Sequence, residues 1–469
     1  MTVKSTRNEE PTTNNMSVII FCVHPIAGSV NASLKLAKQL KEIGHQIYYL
    51  GVPDCEDYIS QHGFDFIAVF GNWFSKGWFA DRDDGQSNNV IRDFLQERAG
   101  NKWIRDFMLS LSKGEDTEFL NIIEKIRANL IIVVATHYDS FIWALLSHKV
   151  GVKCIYLHDT LCQSVAYDIP PITTGIIPNK TITSCLKITF SWHYFFFKRF
   201  LYQALLHFGV NLYSKNLLKK VAKGFNYPIE DIDLNTDMLA PKLKLPELVL
   251  CPSEIEFPGS INPNRFYAEA AIDFERQEVS FPWEKINQQL PLVYCSLGSL
   301  RMISISQYRK FFQAVISVAA MYQDYQWVLA TGASQDIGYL SNVPINLVIV
   351  KKAPQIALLK KAVLMINHGG TNTIKECMIL GVPMIAFPVG FDTYGNTARI
   401  IYHGLGVKGD IDKINHRYLE LLFRMVSTNQ YYQIRCQMIK KVCVETENTL
   451  LALKFVQQIL SNGEMKISA

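Results

Sequence analysis

Residues 363–386 read VLMINHGGTNTIKECMILGVPMIA. An apolar run ends at Ile366, a loop follows over Asn367–Asn372, and the spacing predicts a helix from about Thr373 to Leu380, stopped by Gly381. A strand that feeds a helix through a short glycine loop is the repeating unit of a parallel α/β sheet. The start of such a helix presents unpaired amide N–H groups and the positive end of its dipole. Gly369 and Gly370 let the backbone approach an anion closely, so the segment is a diphosphate cradle in physical terms. His368 can donate a further hydrogen bond to a phosphate oxygen, and Glu376, one turn into the helix, can accept from ribose hydroxyls.

The same texture extends outward in both directions. SVIIFCV (Ser17–Val23), QIYYLGV (Gln46–Val52), LIIVVAT (Leu130–Thr136) and KCIYLH (Lys153–His158) read as buried strands. Asn31–Ile43 reads as a helix with Leu34, Ala37, Leu40 and Ile43 on one stripe. Near Pro241–Pro258 four prolines interrupt the pattern, which restarts with LPLVYCSLGS (Leu290–Ser299), YQWVLAT and INLVIV. The expected architecture is α/β: two Rossmann-like doubly wound domains facing a central cleft. The expected divisions are a loose tail at 1–16, a first domain at 17–240, a linker and domain junction at 241–260, a second domain at 261–445, and a C-terminal helix at 446–469 that packs back toward the first domain.

Bulk properties narrow the class. A chain of 469 residues, 49% hydrophobic and 19% charged, has enough apolar content for two packed cores and is not disordered. The net charge of +5 is mild, and neither a basic run nor an aromatic-basic repeat points to nucleic acid. Ten scattered cysteines without a CxxC pair read as reduced thiols, and the polar first fifteen residues lack a signal-peptide core, so a cytoplasmic protein is expected.

Around the central stretch stand APQ at 353–355, HGGTNT at 368–373, Glu376, GVP at 381–383 and PVGFDTYGN at 388–396. This ordered set resembles the UDP-glycosyltransferase superfamily (family 1, GT-B fold). VYCSLGS (Val293–Ser299), HPIAGSVNASLKLAKQLKEIGH (His24–His45), DSFIW (Asp139–Trp143) and DIPPITTGIIPN (Asp168–Asn179) extend the likeness, toward the bacterial branch that includes zeaxanthin and macrolide glycosyltransferases. The resemblance implies that His368, Gly370, Asn372 and Thr373 hold the phosphates, with Ser299 reaching in from the facing loop. It implies that Glu376 binds the ribose, that the Ala353 backbone and Gln355 hold the base, and that Asp392 and Thr393 meet sugar hydroxyls. The donor is expected to be a nucleotide sugar, with UDP favoured, and no cofactor or metal is expected. Asp81, Asp83 and Asp84 read as a solvated loop and not as a metal-binding pair.

Three departures shape the expectation. Lys352 stands where the plant-type family has a base-stacking Trp, Thr393 follows the sugar-binding Asp where Gln is usual, and Ser29 occupies the position of the usual general base. A serine hydroxyl has no useful basicity near neutrality. Asp139, His24, His137 and the His158–Asp159 pair are the alternatives, and an acceptor that needs no strong base is another. A fold-retaining partner protein of weak activity is the rival reading. Aromatic clusters at Trp73, Phe74, Trp78 and Phe79, and around Phe196 with Lys198 and Arg199, predict a hydrophobic acceptor; the second also predicts peripheral membrane contact.

Overall fold

The computed structural model describes residues 16–79, 90–115, 117–135, 138–162, 164–206, 210–237, 240–259, 262, 264–298, 302–332, 338 and 340–461. Ser299, His137, Asp81, Asp83 and Asp84 lie outside the described residues.

The first sheet draws on β1 (Val18–Cys22), β2 (Gln46–Gly51), β3 (Asp65–Ala68), β4 (Leu130–Val134) and β5 (Lys153–His158). A two-stranded ribbon, β6 (Ile232–Asp233) with β7 (Lys242–Leu243), precedes β8 (Glu247–Val249) and β9 (Arg265–Tyr267). The sheet runs β3-β2-β1-β4-β5-β8-β9 with every pairing parallel. Residues Ile19–Cys22 and Leu130–Val133 are fully buried, because helices cover both faces and the strands therefore read as unbroken apolar runs.

The second sheet contains β10 (Leu292–Ser296), β11 (Gln326–Ala330), β12 (Leu347–Val350), β13 (Ala362–Asn367), β14 (Met384–Ala386) and β15 (Gly406–Lys408). Its order is β12-β11-β10-β13-β14-β15, again all parallel.

The proline-rich stretch differs from its expected role as a linker. β8 and β9 belong to the first sheet, so that domain runs past 260 to at least Tyr267. Proline is tolerated at the beginning of a strand, and the Pro246 carbonyl accepts from Tyr156 N at 2.9 Å to start the pairing of β8 with β5. Under it lies a buried ion cluster: Glu247 takes Lys242 at 2.6 Å and His158 Nε2 at 2.8 Å, with Arg265 at 3.9 Å.

Three contacts clasp the second domain onto the 250–256 segment. Lys375 donates to Leu250 O at 2.9 Å, Arg399 pairs with Glu256 at 2.6 Å, and the His403 ring meets Ile255 O at 2.9 Å. The chain then returns to the first domain. Glu447 pairs with Lys35 and accepts from Ala271 N at 2.8 Å. Glu269 accepts from Ala452 N at 3.0 Å, and Phe455 of the helix Leu451–Ser461 stacks on Phe266 of β9 at 4.9 Å.

Candidate active site

The loop after β13 is shorter than its sequence suggests. The helix starts at Thr371, two residues early, with Gly370 as N-cap, and it ends at Gly381 in the left-handed region. No side chain caps its N-terminus, and no acidic residue lies in its first turn. The helix Ala27–Glu42, which follows β1, also starts without a side-chain cap or an acid in its first turn. These two N-termini meet: Asn372 Nδ2 donates to the Gly28 carbonyl at 2.8 Å. Two converging positive dipole ends repel each other, and an anion between them removes that cost.

His368 lies in a slot between two glycines. A Cβ at Gly298, whose φ is +87°, would come within 2.5 Å of its ring, and one at Gly370 within 2.7 Å. Burial of the ring lowers its pKa to about 4, so the imidazole is neutral and donates through one nitrogen only. Nδ1 is buried with no hydrogen-bond partner among the described residues. Such an atom is costly unless a ligand satisfies it.

One turn further, Glu376 is buried with both carboxylate oxygens engaged. Oε1 accepts from Arg276 at 2.7 Å and Oε2 from Gln355 Nε2 at 2.5 Å. Gln355 also reaches the Thr373 hydroxyl at 3.2 Å. Glu278 accepts from the Ile356 and Ala357 amides at 2.7 and 3.0 Å, capping the short helix Gln355–Leu359 beside half-buried Ala353. Asp392 accepts from Thr371 Oγ1 and Asn396 Nδ2, both at 2.8 Å, and enclosure raises its pKa.

On the facing domain, His24 follows β1 and Asp139 opens the helix after β4. His24 Nδ1 lies 2.9 Å from Asp139 Oδ2. The Phe79 ring meets the imidazole edge-on at 5.3 Å. His24, Asp139, Gln355, His368 and Asp392 follow the carboxyl ends of β1, β4, β12, β13 and β14, where open α/β sheets bind ligands.

The profile of the erythromycin biosynthesis protein CIII-like C-terminal domain matches residues 318–449. Zeaxanthin glucosyltransferase of Pantoea ananas is 25% identical over 236 residues, which are 49% of this chain and 52% of that protein. The aligned stretch thus spans about half the length of that curated relative. Among solved structures, the calicheamicin glycosyltransferase CalG4 superposes with a TM-score of 0.66 at 16% identity, covering 96% of this chain and 100% of that one. The spinosyn rhamnosyltransferase SpnG complexed with thymidine diphosphate gives 0.61 at 15% identity, covering 94% and 100%.

The family match covers residues 318–449, and the fold of the chain is GT-B.

Several expected site residues land elsewhere. Ser29, at the position where the resemblance expects the base, is buried, and its hydroxyl donates to Asp159 at 2.7 Å. It is tied into the domain interior and offers no base. His158 is fully buried against Glu247 and serves the ion cluster, which removes it from the candidates. Thr393 is also internal: its hydroxyl accepts from Val389 N and Gly390 N and donates to Gly390 O. With donor and acceptors taken, it has nothing left for a sugar hydroxyl.

The aromatic expectations divide. Phe74 is a core side chain packed among Trp78, Phe79 and Phe107, and Trp73 packs on Trp103 and Phe107. Phe79 reaches His24. Phe196 stacks on Trp192 at 5.8 Å, under the Arg199 guanidinium at 4.8 Å.

Arg276 and Glu278 were missed from sequence. No motif marks FERQEV; the only signal is that a glutamate on the buried face of a helix requires a cation. A cavity of about 410 Å³ lined by Lys310, Ser317, Asn342 and His416 contains none of these residues.

Proposed function

We propose that this protein is an inverting, metal-independent hexosyltransferase that uses a nucleoside diphosphate sugar, with UDP favoured, and a hydrophobic small-molecule acceptor. The observation that carries this reading is the meeting of two uncapped helix N-termini at Asn372 and Gly28, beside a buried, unpartnered His368 Nδ1. That combination suits a diphosphate.

The reaction is a single displacement. His24 keeps Nδ1 on Asp139, which makes Nε2 the basic nitrogen. The acceptor hydroxyl gives its proton to His24 Nε2 while its oxygen bonds to the anomeric carbon. The bond from that carbon to the β-phosphate oxygen breaks, and the new negative charge on the diphosphate meets the helix N-termini and His368. One displacement inverts the anomeric centre. Asp392 is the sugar-hydroxyl acceptor, and Glu376, oriented by Arg276 and Gln355, is the ribose acceptor. The His24–Asp139 pair favours an enzyme over a fold-retaining partner protein.

Calorimetric titration with UDP, TDP, GDP and ADP, in parallel with a His368→Ala variant, tests the donor half. Binding of one nucleoside diphosphate that weakens in the variant is expected. Absence of binding by all four would remove the reading.

A further inference from the structure

The helix Ile182–Leu201 inverts the usual amphipathic pattern. The side chains it buries are Ser184, Ile188, Ser191 and Trp192, two of them serines. Outward stand Ile182, Leu186, Phe190, Tyr194, Phe197 and Phe200, each more than half exposed and recurring every three or four residues. That spacing makes one continuous apolar stripe. An exposed stripe of this size on a soluble protein marks a contact surface.

Charge identifies what the surface meets. Lys180, Lys187, His193 and Lys198 flank the stripe and are exposed. Between Ile169 and Ile229 the chain carries eight Lys or Arg and no Asp or Glu. With a net charge of +5 over the whole chain, the remainder is net negative, so the positive charge is concentrated here. A second copy docked through the same stripe would set like charges against each other across a two-fold axis.

We propose that this helix lies in the interface of an anionic lipid membrane, with its phenylalanines among the upper acyl chains and its lysines at the headgroups. Lysine stems can lie along the apolar stripe while their ammonium groups reach the phosphates. No helix among the described residues is long and apolar enough to cross a membrane, so the helix lies on the surface. The platform is preformed. Thr181 caps its start, Trp192 Nε1 donates to Ile169 O at 2.9 Å, and Arg199 donates to Leu234 O and Thr236 O at 2.7 and 3.0 Å. The segment leading into it touches the donor domain, where Gly395 N donates to Ile172 O at 2.8 Å. On the transferase reading, this places the cleft beside the lipid phase from which an apolar acceptor would come.

The test is flotation of the full chain with phosphatidylcholine vesicles with and without phosphatidylglycerol, which involves no chemistry at the cleft. The expected result is flotation with the anionic vesicles that weakens as salt is added. A Phe190→Ser, Phe197→Ser variant of unchanged melting temperature should stay at the bottom. A Lys187→Ala, Lys198→Ala variant should lose about fivefold in partitioning for each lysine. A wild type that floats with neither vesicle, or a phenylalanine variant that floats equally well, overturns the proposal. So does a concentration-dependent dimer in ultracentrifugation that the phenylalanine variant abolishes, which would assign the stripe to a second copy.

Discussion

His24 is one of four histidine or carboxylate alternatives in the sequence, and its proposed role as the base rests on Asp139 meeting it at 2.9 Å. Replacing it by Ala should lower kcat/KM for sugar transfer by about 10²- to 10⁴-fold and leave nucleotide affinity unchanged, as read by product formation and calorimetry. Ser29→Ala should instead leave transfer within a few-fold. It removes one buried hydrogen bond to Asp159, worth about 1 kcal/mol, and its readout is the urea midpoint. Equal losses in the two variants would move the base away from His24. The sequence could nominate His24 but not select it: the choice depends on where the ends of β1 and β4 lie side by side, 115 residues apart. The same limit hid Arg276, which reaches Glu376 across 100 residues.

Among elements, the helix Thr371–Leu380 was legible because its stop is local. Gly381 has φ +75°, a conformation glycine adopts without strain. Gly381→Ala should cost about 1–2 kcal/mol, seen as a lower urea midpoint, since its Cβ would also come within 2.8 Å of Gln437 Nε2. β8 was not legible. Three residues between prolines carry too little periodicity to be told from a connector, and the strand exists because β5 and β9 pair with it. Glu247 on β8 is the test of that packing. Glu247→Ala leaves Lys242 and Arg265 buried without their carboxylate, and a loss of about 3–5 kcal/mol is expected in chemical denaturation.

For the whole molecule, acid sensitivity follows from buried and half-buried histidines. Burial lowers His45, His62, His158, His368 and His403 below the usual 6.5, and His368 to about 4. A histidine depressed in the fold gains its proton more readily when unfolded, so stability is full above the unfolded value and is lost as pH falls through the folded one. Enclosure raises Asp392 and Glu269, which act in the opposite sense. The denaturation midpoint should therefore fall between about pH 6.5 and 4, and less steeply in His368→Asn, whose share is up to about 3 kcal/mol. An equal slope in the variant would show that His368 protonates freely in the fold.

The two parallel α/β sheets are readable from local sequence, because strands buried on both faces must be apolar throughout and turn residues act locally. So is the glycine loop after β13, since a strand, two glycines and a helix start are contiguous. Which histidine meets Asp139, the inward turn of Ser29 and Thr393, and the completion of the first sheet by β8 and β9 emerge only in the folded chain. Those outcomes depend on side chains brought together over a hundred residues or more, or on which hydrogen bonds a hydroxyl finds first, and neither is encoded in local periodicity.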